Sequence, residues 1–386
     1  MDFTFTDEQL AVAEAAAGVF GGLVDPDRVR VVEQTDDRVD RELWAALARA
    51  DLLGLAVPTE HGGGGLGLTE LCLLLEAQGR QVAPVPLWAT LVLGALPVGR
   101  FAPADLAARW LPGVVAGDTF LTAALTGSAD SVSGRPVVRA EPDGDGWRFT
   151  GTEPAVPQAH LAARVLVPAA TAQGGVVLAL VDPVGPGAGL ERATTTNREV
   201  HPHLHLDGAP VAAGDVVAGP GDGEAALDWT LQAAWTALAA LAVGACEAAL
   251  AQTADYLNQR HQFDRPLSAF QGTMLRAADA AIDIEAMRVT LWQAAWRIDT
   301  GRPAAEAVAV AKWQAAARGQ RVVHATQHLH GGMGADVTYP IHRYFLWGKQ
   351  IELLLGGPSR HLSRLGRHIA ARVKVDTAGV GQGAPR

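Results

Sequence analysis

The sequence predicts an α+β protein in which a helical domain, a β-domain and a second helical domain follow one another along 386 residues. In the first and last thirds, apolar residues recur every three or four positions, which is typical of amphipathic helices. In the middle third, short β-rich runs are separated by turns of Gly, Pro and Asp, which is typical of an antiparallel sheet. The length is sufficient for two or three such domains around sizeable cores.

The N-terminal domain is predicted to be α-helical over residues 1–117. Thr6 stands before Glu8, a pattern that indicates a helix N-cap followed by an acidic first turn. Apolar positions then recur with the helical period as far as Phe20. The glycine-rich run at 62–67 lacks the strand–turn–helix context of a dinucleotide-binding loop and is predicted to be a flexible loop. Further helices are predicted over 41–50, 68–79 and 103–110.

The middle domain is predicted to be an antiparallel β-domain over residues 118–225. A run of turn-forming residues, Pro-Asp-Gly-Asp-Gly at 142–146, separates two of its strands. A second run, Pro-Gly-Asp-Gly at 220–223, closes the domain. Strands are predicted over 119–123, 137–140, 147–150, 163–167, 176–181 and 199–206.

The C-terminal domain is predicted to be a helical bundle over residues 226–374. The last residues, 375–386, contain Gly, Ala and one Pro but no bulky aromatic residue, so they are predicted to form a disordered tail. Helices of the bundle are predicted from the end of the β-domain toward Arg260, over 268–300, and from 304 past His330.

The composition narrows the class of protein. The net charge of −10 is unfavourable for a nucleic-acid binder, which needs a basic face. The two cysteines, Cys72 and Cys246, do not make a disulfide framework and fit a reducing cytoplasm. The start of the chain lacks the basic and apolar segments of a signal peptide. The most apolar stretch, 233–246, is shorter than the ~20 residues that span a bilayer and is predicted to be a buried helix. We therefore expect a cytoplasmic protein with neither a membrane nor a nucleic-acid partner.

Several motifs, in their order along the chain, resemble those of the acyl-CoA dehydrogenase family. Residues 1–9 are similar to the family's opening, and residues 52–67 resemble its L-G-x-x-x-P-x-x-x-G-G-x-G tract. Residues 260–271 resemble its R-x-x-F-G…F-Q segment. Residues 327–334 and 339–343 resemble its Q-x-x-G-G-x-G and Y-P-x-x-R motifs. The resemblance covers nearly the whole chain and implies the family's fold, with N-terminal helices, a middle β-domain and a C-terminal four-helix bundle.

The resemblance also implies an activity. Members of the family use FAD to oxidise the Cα–Cβ bond of an acyl-CoA thioester and pass the electrons to an electron-transfer flavoprotein. Two subunits build each FAD site. One subunit supplies the wall around the isoalloxazine and the glutamate that removes the α-proton, and the other reaches across with its C-terminal helices to hold the ADP part. The sequence therefore carries two half-sites, which need not be equally preserved.

The half that reaches across to a partner keeps the residues that the resemblance assigns to cofactor binding. Arg260 could donate two parallel hydrogen bonds to a pyrophosphate, and Phe263 offers an apolar face. Glycines allow close backbone approach to a ligand because they have no Cβ. The alternative is that Arg260 only binds the last carbonyls of its helix and that the glycines only end the next helix. The predicted cofactor-binding residues are Arg260, Phe263, Gln271, Gln327, Gly331, Gly332 and Gly334.

The half that would surround the flavin departs from the family pattern. Residues 125–130 keep only the threonine and a shortened remainder of the family's first flavin strand. On the next strand, Ala155 replaces the tryptophan that covers the ring, and Pro157 replaces the hydroxyl donor. Proline has neither a side-chain donor nor a backbone N–H, so it cannot substitute. Pro358 likewise stands where a threonine would contact the cofactor.

The catalytic base is also missing from the positions where the family carries it. Gly356 stands at the position of the glutamate, and glycine has no group that could take a proton. The alternative position on the long helix is Ala234, and Trp235 takes the place of the neighbouring arginine. Glu352 lies four residues before Gly356, where it could serve as a relocated base or form an ion pair. We predict no catalytic residue in this chain.

Two groups of histidines could bind a ligand. His201, His203 and His205 alternate along a predicted strand and would share one outward face. Such a triplet could hold zinc or iron, but no additional carboxylates accompany it, and no metal site is predicted. His324 and His328 are spaced to share a helix face and are predicted to serve packing or polar contacts.

The leading hypothesis is a non-catalytic subunit of a heteromeric acyl-CoA dehydrogenase, resembling the paired α2β2 enzymes of actinobacterial steroid side-chain β-oxidation. This chain would help to bind FAD held mainly by a partner subunit of the same family. The partner would carry the catalytic glutamate and the acyl-CoA. Bulky substrates such as steroid side chains would fit a pair in which one subunit has vacated its own site. Two alternatives are a homo-oligomer with a non-redox or scaffolding role in a biosynthetic pathway, and a flavin dehydrogenase with a relocated base.

Overall fold

The computed structural model describes residues 4–131 and 134–380 of the chain. Within them, helices precede and follow a central sheet, so the predicted α+β fold class, with helical, β and helical parts in that order, is confirmed. The family-like residues at 1–3 lie outside the described part, as do residues 381–386 of the predicted tail.

The N-terminal helices form where the sequence predicts them, with two additions. They are α1 (Asp7–Leu23), α2 (Pro26–Val32), α3 (Arg41–Arg49), α4 (Leu68–Gln81), a π-helix (Trp88–Ala95) continued by α5 (Leu96–Phe101), and α6 (Ala104–Val115). At the predicted N-cap, the Gln9 N–H donates to the Thr6 hydroxyl, and the Thr6 N–H donates to the Gln9 side chain. The additions are α2, which has seven residues, and the π-helix with α5, whose uninterrupted apolar sequence has no helical period.

The middle of the chain forms one eight-stranded sheet. Its strands are β1 (Leu121–Ala123), β2 (Val138–Asp143), β3 (Gly146–Glu153), β4 (Arg164–Thr171), β5 (Val176–Val181), β6 (Ala188–Glu191), β7 (His203–Val211) and β8 (Val216–Ala218). They pair in the order β6-β7-β3-β2-β4-β5-β8, and β1 also pairs with β4. A short helix, α7 (Thr126–Asp130), follows β1.

The prediction of a purely antiparallel sheet is wrong. β2 and β3 form an antiparallel hairpin, but β1 and β2 both run parallel to β4. The local pattern of apolar and turn residues identifies a strand, whereas the direction of pairing depends on which distant strands meet. β6 and β8 were absent from the prediction because, at four and three residues, they are too short to show a period.

The C-terminal helices follow the predicted succession. They are α8 (Gly223–Gln259), α9 (Gln271–Asp299), α10 (Ala305–Leu329), α11 (Ile341–Leu353) and α12 (Pro358–Val380), with a hairpin of β9 (His261–Gln262) and β10 (Arg265–Pro266) after α8. α12 continues to Val380, so the predicted tail begins too early, since no proline before Pro385 stops the helix. Among the described helices, α8 is long and apolar enough to cross a membrane, but 83% of its most apolar window is buried in the protein.

α4 and α8 cross with their backbones in direct contact. An added Cβ at Gly79 would overlap the carbonyl oxygen of Leu241, and one at Gly244 would overlap that of Glu76. Glycine at both positions therefore lets the helix axes approach more closely than any side chain would permit. The Glu76 carboxylate also accepts a hydrogen bond from Arg288 on α9 at 2.6 Å. These contacts fix the distance between α8 and α4. α8 carries Ala234 and ends next to Arg260, the first residue of the predicted cofactor-binding half.

A buried ion pair joins the N-terminal helices, the sheet and the bundle. Arg343 on α11 is 4% exposed, and its Nε lies 3.1 Å from a carboxylate oxygen of Glu33, directly after α2. Arg198, in the loop before β7, donates to the same carboxylate at 2.7 Å. Removing one partner of such a buried pair leaves an uncompensated charge, which is strongly destabilising. Glu33 therefore ties together three parts of the chain that are far apart in sequence.

Replacing Gly244 by Ala should destabilise the fold, because the new Cβ would meet the backbone of α4 rather than a movable side chain. We expect the free energy of unfolding to fall by about 1–3 kcal/mol, the usual cost of overpacking a core. Gly18→Ala is the matched control, since Gly18 lies on α1 with no atom within 4 Å of an added Cβ, and it should be neutral or stabilising. Urea unfolding followed by circular dichroism measures both variants. Equal effects of the two substitutions would contradict a close helix crossing.

Candidate functional site

The turn between α11 and α12 contains Gly356, the position that the resemblance assigns to the catalytic glutamate. Leu355 and Gly356 both have positive φ, at 55° and 100°. From α8, Trp235 Nε1 donates a hydrogen bond to Leu355 O at 2.9 Å. From α12, His361 Nε2 lies 3.3 Å from the same oxygen, and because a carbonyl can only accept, this nitrogen carries the proton. Side chains from two helices therefore hold the backbone of the turn.

Two buried bases surround this turn. Lys312 on α10 is fully buried, and its Nζ donates to carbonyl oxygens at the end of α11 and, at 3.5 Å, to that of Gly356. Burial lowers the pKa of Lys312 to about 7, against the opposing effect of the Glu352 carboxylate. Burial, together with the charges of Lys312 and Arg364, lowers the pKa of His361 to about 3. Burial thus disfavours the charged form of both groups.

The alternative position of the base, Ala234, is also enclosed. Ala234 and Trp235 are buried on α8, and Ala234 O accepts a hydrogen bond from Trp88 Nε1 at 3.2 Å. The Trp235 ring meets that of His361 edge-on with centroids 5.1 Å apart, and the Arg364 guanidinium lies 4.4 Å from the Trp235 centroid. The indole therefore fills the space beside the turn, where the family pattern has an arginine.

Glu352, the remaining candidate for a base, is held by an ion pair. Its carboxylate accepts a hydrogen bond at 2.7 Å from Nζ of Lys349, one turn earlier on α11. The side chain of Glu352 is 15% exposed. This is the ion-pair alternative that the sequence left open for Glu352. A general base must come within about 3 Å of the proton that it removes, and here the carboxylate is engaged elsewhere.

The segment of the sheet that would face a flavin is folded back onto the protein. Ala155 N donates to His203 Nδ1 at 3.1 Å, and Val156 N donates to Pro202 O at 2.8 Å. Ala155 has a φ of 48°, a region that is costly for a residue with a Cβ. Pro157, which follows, brings no N–H donor. The backbone donors of this segment are therefore used within the chain.

Next to this segment, Gln158 borders a small cavity. A cavity of about 30 Å³ lies between the sheet, α8 and α11, with Gln158, Leu238 and Leu354 in its wall. Such a volume holds about one or two water molecules and is far too small for an isoalloxazine. On the neighbouring segment, the buried Glu153 carboxylate accepts a hydrogen bond from Gly127 N at 2.9 Å. At Ala155 and Pro157, this half has neither the aromatic wall nor the hydroxyl donor of the family pattern.

Arg260 follows α8 at an exposed corner of the bundle. Its backbone N–H donates to Tyr256 O at 2.9 Å, and its carbonyl accepts from Leu267 N at 2.8 Å. Within residues 4–131 and 134–380, its guanidinium has no hydrogen-bond or ion-pair partner. The five N–H donors of this group are therefore available to an anionic ligand.

Phe263 and Gln271 lie close to Arg260 in the chain. Phe263 stands at the tip of the β9–β10 hairpin and is 87% exposed. With φ values of 54° and 63°, Phe263 and Asp264 form a two-residue turn of the type that favours hairpins. Gln271, the first residue of α9, is also exposed. An aromatic ring so exposed is suited to contact with a ligand or another protein.

α10 ends in a tight glycine turn. Gln327 Nε2 donates to Gly334 O at 2.8 Å, and an added Cβ at Gly334 would overlap the backbone of Gln327. Gln327 Oε1 is buried without a hydrogen-bond partner in the described part of the chain. Gly331 has a φ of 57°, and an added Cβ at Gly331 or Gly332 would meet nothing within 4 Å. A ligand can therefore approach this backbone closely, which fits the ADP part of FAD.

The predicted outward face of three histidines is wrong. β7 begins only at His203, so His201 lies before the strand, where it is 1% exposed with Nε2 3.2 Å from the Glu199 carboxylate. His205 is exposed and lies 3.1 Å from the Glu191 carboxylate. Alternation along the sequence places residues on one face only while the strand is continuous. Among the described residues, no group of three or more metal-ligating side chains occurs.

Two other sequence features have structural partners. His324 lies edge-on against Phe345, with ring centroids 4.7 Å apart. The glycine-rich run at 62–67 leads into α4, whose first N–H, at Leu68, donates to the Asp299 carboxylate at 2.8 Å. A carboxylate of the chain therefore occupies the place that a phosphate would take at a helix N-terminus.

Sequence reasoning missed the groups that enclose the turn at Gly356. Lys312 had a detectable signal, because it is a lone cation on an apolar face of α10, and a buried lysine needs a partner. His361 had none, since it stands among serines and arginines at the start of α12. Both act on backbone oxygens, which no side-chain pattern reveals.

The succession of helices, sheet and helices is the arrangement that the sequence motifs implied. The chain belongs to the acyl-CoA dehydrogenase family, as the sequence motifs predicted. Residues 6–118 match the family model "Acyl-CoA dehydrogenase, N-terminal domain", and residues 221–370 match "Acyl-CoA dehydrogenase, C-terminal domain".

The chain is similar to several individual proteins, and two of the solved structures have two named components. The chain is 39% identical to acyl-CoA dehydrogenase FadE27 of Mycobacterium tuberculosis, over 96% of this chain and 99% of the relative. It is similar to a chain of a Tcur3481-Tcur3483 steroid ACAD variant, with 47% identity and a TM-score of 0.89 over 95% of this chain and 99% of that chain. It is also similar to a chain of the ChsE4-ChsE5 complex from Mycobacterium tuberculosis, with 38% identity and a TM-score of 0.90 over 96% and 99%.

The buried His361 should make stability depend on pH. Its pKa falls to about 3 in the folded state from an ordinary value of 6.5, so between these values only the unfolded state gains the proton. The stability that depends on the neutral imidazole is fully present above pH 6.5. As the pH falls toward 3, the free energy of unfolding decreases by up to about 1.4 kcal/mol per pH unit. His361→Gln keeps a donor for Leu355 O but cannot titrate. Its free energy of unfolding should therefore fall less steeply than that of the wild type between pH 6.5 and 4.

The control for this experiment is His328→Gln, which replaces an exposed histidine on α10. Urea unfolding at a series of pH values measures all three proteins. We expect His328→Gln to keep the wild-type slope. Parallel curves for wild type and His361→Gln would show that the buried imidazole does not couple folding to pH.

Proposed function

We propose that the chain is a non-catalytic subunit of a heteromeric, FAD-dependent acyl-CoA dehydrogenase. The observation that carries this proposal is the turn at Gly356, which Trp235, Lys312 and His361 enclose. Around this turn, in the described part of the chain, the nearest carboxylate in sequence is that of Glu352, and it is bound to a lysine of its own helix. Gly356 itself has no group that could remove an α-proton. A partner subunit of the same family would carry the glutamate and bind the acyl-CoA.

The exposed corner of the bundle at Arg260 and Phe263, here called the open corner, supports a role in holding the partner's FAD. The Arg260 guanidinium would bind the pyrophosphate, and Phe263 would lie against the adenosine part. Gln271, Gln327 and the open backbone of Gly331 and Gly332 would complete the contact. Gly334 would contribute by holding the turn through its hydrogen bond with Gln327. When bound, FAD supplies the two-electron acceptor for oxidation of the Cα–Cβ bond, and an electron-transfer flavoprotein takes the electrons onward.

An exposed apolar stripe along α9 supports association with another subunit. Leu275, Ile282 and Val289 are 59%, 63% and 52% exposed, and their spacing of seven places them on one helix face. Exposed apolar residues repeated along one helix face are suited to contact with another protein. The stripe begins one turn after Gln271, so an interface along α9 would bring a partner's cofactor to the open corner.

The substrate of the complex is inferred from its relatives. Because one similar structure is described as a steroid ACAD with two named components, we propose an α2β2 complex that acts on a steroid or another bulky acyl-CoA. A pair in which one subunit has closed its own site leaves one site per pair to be shaped for a large substrate. The two buried free cysteines fit a reducing cytoplasm as the setting.

Purification of the chain with and without a family member that keeps the glutamate tests this function. We expect the chain alone to be colourless or unstable, and the co-expressed complex to show the flavin absorbance band and to reduce a dye with an acyl-CoA. A yellow chain that reduces dye alone would instead favour a relocated base. A stable, colourless homo-oligomer that does not bind the co-expressed partner would favour a non-redox or scaffolding role.

Arg260→Ala should weaken the binding of FAD to the complex, because a charge-assisted, two-pronged contact to the pyrophosphate is lost. Hydrogen bonds to charged groups contribute about 1.5–3 kcal/mol, so we expect the dissociation constant to rise roughly tenfold to a hundredfold. Titration of the flavin-free complex with FAD, followed by flavin fluorescence, measures the change. Arg49→Ala, which removes an exposed arginine at the end of α3, is the control and should leave the affinity unchanged. Unchanged affinity in Arg260→Ala would exclude a role of this chain in the partner's site.

A further inference from the structure

A histidine lies between two tyrosines at the open corner of the bundle. The His330 ring stacks on Tyr256, with centroids 4.5 Å apart and an interplanar angle of 25°, and lies 5.4 Å from the ring of Tyr339. His330 is 2% exposed, and its Nδ1 lies 2.8 Å from Thr326 O, so this nitrogen carries the proton. Burial lowers the pKa of His330, which keeps the imidazole neutral.

The three rings belong to three motifs that are far apart in sequence. Tyr256 stands one helical turn before Arg260, and its carbonyl accepts the Arg260 N–H at 2.9 Å. His330 directly precedes Gly331, the first glycine of the turn that ends α10. Tyr339 opens the segment that leads into α11. The ring of His330 is therefore the point at which the arginine motif and the glycine motif touch.

We propose that His330 is a positioning residue for the cofactor, whose ring couples Arg260 to the glycine turn so that both face one ligand. This inference rests on the proposed function, because the ligand is the ADP part of a partner's FAD. Arg260 itself is exposed and unpaired in the described chain, so its place depends on the helix end beneath it. The Gly331–Gly332 backbone is open as well. Two such exposed groups bind one ligand well only when their separation is set beforehand.

The stack, rather than the hydrogen bond, would do this positioning. His330 Nδ1 bonds only within its own helix, to Thr326, and Nε2 is buried without a partner in the described residues. The contacts of the ring with Tyr256 and Tyr339 cross between elements. The Tyr256 hydroxyl also donates to the His330 carbonyl at 3.5 Å, a bond to the backbone that a substitution of the His330 side chain leaves in place. A phenylalanine ring at this position would keep those contacts, whereas alanine would remove them.

Titration of the flavin-free complex with FAD tests the proposal. We expect His330→Ala to raise the dissociation constant about tenfold, near the upper range of an aromatic pair, and His330→Phe to stay within about twofold of the wild type. Tyr256→Leu removes the stack from the other side and should act like His330→Ala, which keeps the test open if His330→Ala does not assemble. Wild-type affinity in His330→Ala, or equal losses in the alanine and phenylalanine variants, would overturn the proposal.

A double-mutant cycle separates positioning from a merely structural effect. If His330 acts by placing Arg260, then His330→Ala should cost at most about twofold in the Arg260→Ala background, since the group to be placed is gone. Full additivity of the two losses would overturn the proposal. The outcome for Arg260→Ala alone distinguishes a failure of the proposed function from a failure of the positioning role. No effect of Arg260→Ala overturns the proposed function, whereas a loss there without any loss in His330→Ala overturns only the positioning role.

Discussion

The backbone contact between α4 and α8 is the constraint on which the rest of the structure depends. Because Gly79 and Gly244 carry no Cβ, the backbones of the two helices touch there, and the distance between α8 and α4 is fixed. α8 has 37 residues, or about 55 Å at 1.5 Å per residue, so it passes through both half-sites. Trp235 stands beside the enclosed turn, and Arg260 stands at the open corner about 37 Å further along the helix. Moving α8 would disturb both at once.

Two positions along α8 lie in opposite environments. In the interior of the helix, Trp235 is buried, and burial lowers the pKa of Lys312 and of His361 nearby, so charge is disfavoured there. At the open end, Arg260 and Phe263 are exposed to solvent or to a partner. Holding a pyrophosphate needs exposed donors, and these are found only at the open end. The two environments therefore support the proposal that the chain assists a site that another subunit completes.

Local patterns predicted the elements of this fold well and their tertiary relations poorly. The N-cap at Thr6, the long helices and six of the strands follow from capping residues and apolar periods, which act within a few residues. The parallel pairing of β1 and β2 with β4 and the burial of His201 depend on residues far away in sequence. At the site, motif order located Gly356 and Arg260, whereas the lone cation at Lys312 was missed and no pattern marked His361, which binds a backbone oxygen.

What the sequence determined by itself was the absence of a group: glycine at position 356 and alanine at position 234 have no atom that can take a proton, whatever the fold. It also determined the presence of Arg260 and the glycines at the end of α10. Only the tertiary structure decided that the space beside Gly356 is filled, since Trp235 and Lys312 come from helices remote in sequence. Only the fold left the Arg260 guanidinium exposed. Composition sets which chemical groups exist, whereas packing sets which of them a substrate or cofactor can reach.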